Sequence, residues 1–210
     1  MDLIEVKTAG VFVVDMMYAS DANMMQTDVY GKVGLGNRCF VHPDVWTRLQ
    51  KLEPVLQSKG LKLKICDAYR PPLAFHIMKE IIPMAGFFAA VKSQHCHASA
   101  IDVTLLDENG EELAFPCAVD AYEPRYAAEI ADGKWDDFRR HLEKAKYSWN
   151  APEDGDKIAN RDMFRRMMEE AGFQALEHEW WHYNLPDKEK YPMVDFKVNP
   201  DGSCSFTAVS

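Results

Sequence analysis

The sequence has little basic character for its 210 residues, because 24 Lys and Arg residues stand against 33 Asp and Glu residues. The resulting net charge of -9 argues against a nucleic-acid partner, which would require a basic stripe facing the phosphates. No segment approaches the ~20 apolar residues that cross a bilayer, and no basic stretch followed by an apolar run indicates secretion. We therefore expect a cytoplasmic protein with a small-molecule partner and no membrane association. The sequence does not define its oligomeric state.

Disulfide-type spacing is also absent. The five cysteines are scattered, odd in number and without a C-x-x-C pair, which argues against a disulfide framework and for a reducing compartment. Internal repeats and low-complexity tracts are missing as well. Apolar residues at 47% and charged residues at 27% are ordinary globular values, so we expect residues 1–210 to form a single domain.

Hydrophobic periodicity predicts interleaved strands and helices. Alternation over residues 61–65 and the β-rich run 100–106 predict strands, with a hairpin turn at 107–110. Residues 114–134 show no clear period and read as a surface loop, with a lid over a pocket as one interpretation. Helical patterns cover residues 45–56, 73–82, 135–147 and 160–171. The irregular order predicts an α+β fold with a mostly antiparallel central sheet flanked by helices.

Two stretches carry the candidate chemistry. The first, residues 93–102, offers His95 on a loop and Asp102 on the strand that follows it, and the second, residues 179–182, offers Glu179 and His182. Two imidazoles and one carboxylate are a sufficient ligand set for a catalytic zinc, which keeps one position open for water. Glu179 would then take a proton from that water. We therefore hypothesise a zinc-dependent hydrolase with one zinc per chain.

Residues 178–182 also spell an H-E-x-x-H motif, which would make His178 a ligand instead. That motif requires a helix, and Gly172, the alternation that follows it and Pro186 all disfavour a helix there. We favour His182 as the ligand and His178 as a bystander.

Several neighbouring residues have both a functional and a structural interpretation. Arg70, at the exit of a strand, is placed either to stabilise a negative oxygen or to form an ion pair with Asp67 or another acid. Cys96 and His97 adjoin His95 in the sequence, and on an extended loop such neighbours would point away from a metal. Trp180 and Trp181 would form either a wall of the substrate pocket or part of the core. Cys117 would either line the pocket or be a small buried thiol. The residues read as structural or as surface positions are His42, His76 and His141.

The stretch Ser93-x-His95-x6-Asp102, the Asp67-Ala68-Tyr69-Arg70-Pro71 exit and Glu179-Trp180-Trp181-His182 together resemble the zinc D-alanyl-D-alanine dipeptidases. This family includes the vancomycin-resistance dipeptidase and is related to D,D-carboxypeptidases and the hedgehog signalling domain. The resemblance runs from about Tyr18 to His182 in order and spacing.

The resemblance implies roles for individual residues. It puts zinc on His95, Asp102 and His182, makes Glu179 the general base and makes Arg70 the oxyanion stabiliser. It further implies that the substrate-binding residues are Ser93, Asp120 and Tyr18, with Asp120 holding the substrate ammonium. Two departures stand out: the family glycine is Ala98 here, and residues 113–119 lack the usual loop pattern.

The expected activity is hydrolysis of D-Ala-D-Ala or a closely related short dipeptide. An alternative is a D,D- or L,D-carboxypeptidase or an endolysin that acts on peptidoglycan stem peptides. A third reading, from a different class, is a non-catalytic zinc-binding module, although such a module would need neither Glu179 nor Arg70.

Overall fold

The computed structural model describes residues 2–82 and 93–209. Its strands are β1 Ile4–Val6, β2 Phe12–Val14, β3 Cys39–Val41, β4 Lys62–Asp67, β5 Ala100–Leu106, β6 Gln174–Leu176, β7 Glu179–Asn184, β8 Met193–Val198 and β9 Cys204–Val209. Its α-helices are α1 Val29–Lys32, α2 Pro43–Ser58, α3 Pro72–Ile81, α4 Ala127–Ala131, α5 Asp136–Leu142 and α6 Gly155–Glu170. Short 3-10 turns at Gln94–His97 and Val119–Ala121 carry candidate site residues.

Five strands form the central sheet, in the order β2-β4-β5-β7-β6. β2 runs parallel to β4, whereas the other neighbouring pairs are antiparallel. Two smaller antiparallel pairs are formed by β1 with β3 and by β8 with β9. The predicted α+β class with a mostly antiparallel sheet is confirmed.

The middle of the sheet consists of the strands that the residue pattern predicts. In β4, Leu63 and Ile65 are buried while Lys62 and Lys64 stay partly exposed, as expected for a strand with one wetter face. Every residue of β5 is buried, because this strand lies between β4 and β7. β5 is therefore a rigid position for any functional side chain that it carries.

The predicted helices are present with shifted ends. α2 begins at Pro43 and buries the residues that define its period, namely Val45, Leu49, Leu52 and Leu56. α6 begins at Gly155 rather than at Asn160, and α5 ends at Leu142, where a 3-10 turn replaces the rest of the predicted helix. Within the described ranges, none of the helices combines the length and apolar character needed to cross a membrane.

Residues 114–134 depart from the predicted surface loop. Turns of 3-10 helix at Val119–Ala121 and Pro124–Tyr126, followed by α4, occupy much of the segment, and Phe115 and Tyr126 are buried. Each piece is too short to produce a visible helical period, which is why the sequence pattern predicts a loop here. The segment is anchored in the core by its apolar side chains, while Pro124, Arg125 and residues 131–134 stay exposed.

The hairpin of β8 and β9 lies beyond the last predicted element and covers Tyr69. The rings of Phe196 and Phe206 pack edge-on against Tyr69, with centroids 6.1 and 5.7 Å away. The Tyr69 hydroxyl donates a hydrogen bond of 2.8 Å to the carbonyl of Val194. Because Tyr69 directly precedes Arg70, the hairpin buttresses the chain where it leaves β4.

Candidate metal centre and active site

His95 lies in the 3-10 turn before β5. Ser93 caps this turn by accepting a hydrogen bond of 3.3 Å from the backbone N–H of His95, and Ala98 ends it in the left-handed conformation with φ 53°. Nδ1 of His95 faces the carbonyl oxygen of Ala68 at 2.7 Å. A carbonyl oxygen only accepts, so Nδ1 carries the proton and Nε2 is the nitrogen that points towards Asp102.

Asp102 and His182 are direct partners across the β5–β7 ladder. Opposite residues of an antiparallel pair have Cβ atoms about 4.5–5.5 Å apart, so the two side chains meet without any loop rearrangement. Oδ1 of Asp102 lies 2.9 Å from Nδ1 of His182, and Oδ2 lies 3.2 Å from Nε2 of His95. The sheet register thus brings together three side chains that are far apart in sequence.

The donor atoms of His95, Asp102 and His182 fit a single cation. They all lie within 4.8 Å of one another and all three residues are buried. Nε2 of His95 and Nδ1 of His182 are 3.2 Å apart. Tetrahedral bonds of about 2.0–2.1 Å imply ligand separations of roughly 3.3 Å, and two imidazoles with a carboxylate form a typical donor set for a catalytic metal. The three residues therefore form a possible metal centre.

The charge distribution of this cluster favours the binding of a positive charge. Burial by itself would raise the pKa of Asp102, but His95 and the hydrogen bond from His182 outweigh it and hold that pKa well below its usual range. Burial likewise opposes protonation of His182, yet the contact with Asp102 raises the pKa of this imidazole to about 9. The carboxylate is therefore ionised and ready to bind a cation.

Glu179 stands at the edge of the cluster. Its Oε2 lies 3.8 Å from Nδ1 of His182, and 39% of its side chain remains accessible. Burial of the rest of this side chain, together with the negative charge of Asp102, raises the pKa of Glu179. This carboxyl group can therefore exchange a proton with water beside the cluster.

Arg70 forms the ion pair with Asp67 that was one of its two interpretations. Nε and Nη2 of Arg70 donate to Oδ2 of Asp67 at 3.0 and 2.5 Å. The other oxygen of Asp67 accepts hydrogen bonds from the hydroxyl of Tyr30 and the N–H of Ala68. Despite burial, Asp67 raises the pKa of Arg70, so the guanidinium is charged. Among the described residues, Nη1 of Arg70 has no hydrogen-bond partner.

Tyr18 and Asp120 adjoin Arg70. The guanidinium of Arg70 lies over the Tyr18 ring, 5.1 Å from its centroid, and the Tyr18 hydroxyl donates to Asp120. Asp120 and Ala121 are both left-handed, with φ 56° and 52°, a conformation that costs L-residues roughly 1–2 kcal/mol each. Desolvation, assisted by the charge of Asp102, raises the pKa of Asp120 to about 7. Strain of this kind often marks a functional position.

Other described residues singled out in the sequence are not among the converging donors of the cluster. His178 is exposed in a turn before β7, and because Glu179 and His182 lie on a strand, the helical H-E-x-x-H arrangement does not form. His97 is buried, with Nδ1 facing the carbonyl of Tyr191 at 2.7 Å. Trp180 and Trp181 both belong to the core.

The remaining histidines and the cysteines have structural surroundings. His42 caps α2, and His76 pairs with Glu80 on the exposed face of α3. Cys117 and His141 line a cavity of about 350 Å³ that is separate from the cluster. All five cysteines are free thiols.

Two contributors were missed in the sequence. Tyr30, which donates to Asp67, gives no sequence signal because its contact spans separate elements. Asn184, whose Oδ1 lies 2.9 Å from Nε2 of His182, does give one. The two residues are two positions apart on a strand, and side chains at that spacing share a face.

Comparison with known proteins identifies the family of this chain. A model of the family described as D-ala-D-ala dipeptidase (Peptidase_M15) matches residues 6–199. The D-alanyl-D-alanine dipeptidase of Escherichia coli (strain K12) is 29% identical over 183 residues, which are 86% of this chain and 82% of the relative. The protein of that name from Enterococcus faecium is 34% identical over 175 residues, covering 71% of this chain and 75% of the relative. The chain therefore belongs to the Peptidase_M15 family of D-Ala-D-Ala dipeptidases, which are peptide hydrolases.

Proposed function

We propose that this chain is a single-domain, zinc-dependent dipeptidase that hydrolyses D-Ala-D-Ala or a closely related short dipeptide. The observation that carries the proposal is the convergence of His95, Asp102 and His182 within 4.8 Å of one another. The carboxylate of Glu179 lies 3.8 Å from the His182 ring. The names of the relatives supply the substrate class.

His95, Asp102 and His182 would hold the zinc ion through Nε2, the carboxylate and Nδ1. When bound, zinc polarises a carbonyl group and lowers the pKa of water. The rigid β5–β7 ladder and the hydrogen bond from His95 to Ala68 fix the orientation of these donors. The three side chains therefore need little rearrangement when the ion binds.

Glu179 would act as the general base. Its carboxylate takes the proton from the attacking water and then delivers it to the leaving amine. The raised pKa of Glu179 suits this role, because a base with a pKa nearer neutrality both accepts and returns a proton readily. Its accessible position at the edge of the cluster lets water and substrate reach it.

Arg70 would stabilise the negative oxygen that develops on the scissile carbonyl. Its pairing with Asp67 does not conflict with this role, because Nε and Nη2 make that pair and leave Nη1 as the donor directed elsewhere. Asp67 fixes the plane of the guanidinium, and a fixed donor needs no reorganisation during the reaction.

Asp120 and Tyr18 would hold the free ammonium group of the substrate, and Ser93 would contact the substrate beside the His95 turn. The Tyr18 hydroxyl already orients the Asp120 carboxylate. The positive charge of an ammonium group bound there would favour the ionised form of the Asp120 carboxylate. This recognition restricts the enzyme to dipeptides, since a longer chain has a neutral amide at that point.

One assay tests the proposal: turnover of D-Ala-D-Ala, L-Ala-L-Ala and an N-blocked tripeptide, each with and without a chelator. We expect hydrolysis of the D,D-dipeptide, loss with the chelator and recovery with added zinc. Preferential cleavage of the blocked tripeptide would instead indicate a carboxypeptidase or endolysin. Zinc binding without turnover of any of the three would indicate a non-catalytic module.

A further inference from the structure

The two imidazoles of the cluster present different ring nitrogens to it. His95 points Nε2 inwards, because its Nδ1 is held by the backbone carbonyl of Ala68 at 2.7 Å. His182 points Nδ1 inwards, and its Nε2 lies 2.9 Å from the side-chain oxygen of Asn184. One ring is thus held by the main chain and the other by a replaceable side chain.

Asn184 is well placed to hold this ring. It is the last residue of β7, is half-buried, and has backbone partners on both sides, Ala100 of β5 and Gln174 of β6. These pairings fix its Cα, and the strand period brings its amide to the face that carries His182. An amide oxygen only accepts, so Nε2 of His182 carries a proton towards Asn184.

The contact with Asn184 fixes how the His182 ring is turned. Without that acceptor the ring could rotate about its Cβ–Cγ bond, and Nδ1 would leave its position 2.9 Å from the Asp102 carboxylate. A cation would then have to reorder the ring as it binds, which weakens its affinity.

We propose that Asn184 is a positioning residue that keeps Nδ1 of His182 directed at the cluster and thereby sets the affinity of the cluster for its divalent cation. This inference rests on the proposed function, because it assumes that His95, Asp102 and His182 bind a metal. Asn184 acts through His182 and does not itself bind the ion or the substrate.

The test compares zinc affinity in metal-stripped full-length proteins, measured at fixed pH by competition with a chromophoric chelator. Asn184→Leu removes the acceptor with little change in volume, and we expect zinc binding to weaken by roughly 10–100-fold. Asn184→Asp keeps an acceptor and should bind within about threefold of wild type or more tightly. Gln174→Leu is the matched control, because this exposed residue is the ladder partner of Asn184, and its affinity should not change.

A spectroscopic readout separates positioning from a general structural effect. In zinc-loaded wild type with ¹⁵N-labelled histidine, long-range ¹H–¹⁵N correlation should show one metal-bound ring protonated at Nε2 and another protonated at Nδ1. Circular dichroism of each metal-free variant checks its fold, and Asn184→Ala replaces Asn184→Leu if the latter does not fold.

The outcomes are distinct from failure of the proposed function. Zinc affinity of folded Asn184→Leu or Asn184→Ala within about threefold of wild type would overturn the role of Asn184 while leaving the metal centre intact. Equal weakening in Gln174→Leu would overturn it as well. A wild-type protein that binds no divalent cation would instead refute the proposed function.

Discussion

The hydroxyl of Tyr18 donates a hydrogen bond to the carboxylate of Asp120, which lies 102 positions later in the chain. Arg70 lies over the same tyrosine ring and is anchored by Asp67, which also accepts a hydrogen bond from Tyr30. This chain of contacts connects the proposed ammonium site to the proposed oxyanion site.

Glu179→Gln should separate catalysis from metal binding. The amide cannot accept the proton of the attacking water, so we expect kcat to fall by about 10²–10⁴-fold. Zinc content should stay at one ion per chain, because Glu179 lies beside the three donors and is not one of them. Metal analysis and steady-state kinetics on the same preparation measure both quantities. Nearly wild-type kcat would remove Glu179 from the role of base.

Asp120→Asn should damage recognition of the dipeptide without affecting the metal. Hydrogen bonds to charged groups contribute about 1.5–3 kcal/mol, so kcat/KM for D-Ala-D-Ala should fall on the order of 10–150-fold. Tyr18→Phe should show a smaller loss, because the carboxylate remains but is less well oriented. Zinc content serves as the control. Unchanged kcat/KM in Asp120→Asn would place the ammonium elsewhere.

The same Asp120→Asn variant should be more stable than wild type in the metal-free state, and increasingly so as the pH rises. The folded-state pKa of Asp120 is raised to about 7, above its ordinary value of 3.8. The stability contributed by this group is therefore complete below about pH 4 and is lost as the pH rises through about 7. Melting temperatures recorded from pH 5 to 8 in chelator should diverge by a few degrees. Parallel curves for the two proteins would contradict the raised pKa.

Arg70→Lys should not behave as a conservative change. An ammonium cannot make the two-nitrogen contact with Asp67 and still direct a third donor at the substrate, so kcat should fall more than KM rises. Arg38→Lys is a matched control, because Arg38 also contacts a carboxylate, that of Glu5, with two nitrogens. Equal kinetics in Arg70→Lys and Arg38→Lys would assign Arg70 a structural role only.

The sequence predicts much of this arrangement because of simple periodicities. Alternation in β4 and the helical period of α2 reflect burial of one face, whereas the β-rich run of β5 reflects burial of the whole strand. Residue type therefore indicates burial. The register that pairs Asp102 with His182 is not readable in this way, because it depends on how distant strands align. The chemistry of a ligand set of two histidines and one carboxylate, together with the motif resemblance, suggested that those two residues meet.

Other features required the folded chain. The short helical turns of residues 114–134 have no period to detect, although they hold Asp120. The contact of Tyr30 with Asp67 arises from packing of separate elements. Asn184 was within reach of strand periodicity once His182 was assigned to a strand, yet its contact with the ring depends on the side-chain geometry.

The central claim is that His95, Asp102 and His182 bind one catalytic divalent cation. Anomalous diffraction at the zinc edge, from crystals of active protein, tests it most directly. We expect one strong peak per chain within bonding distance of Nε2 of His95, the Asp102 carboxylate and Nδ1 of His182. Active crystals without a peak at that position would contradict the account.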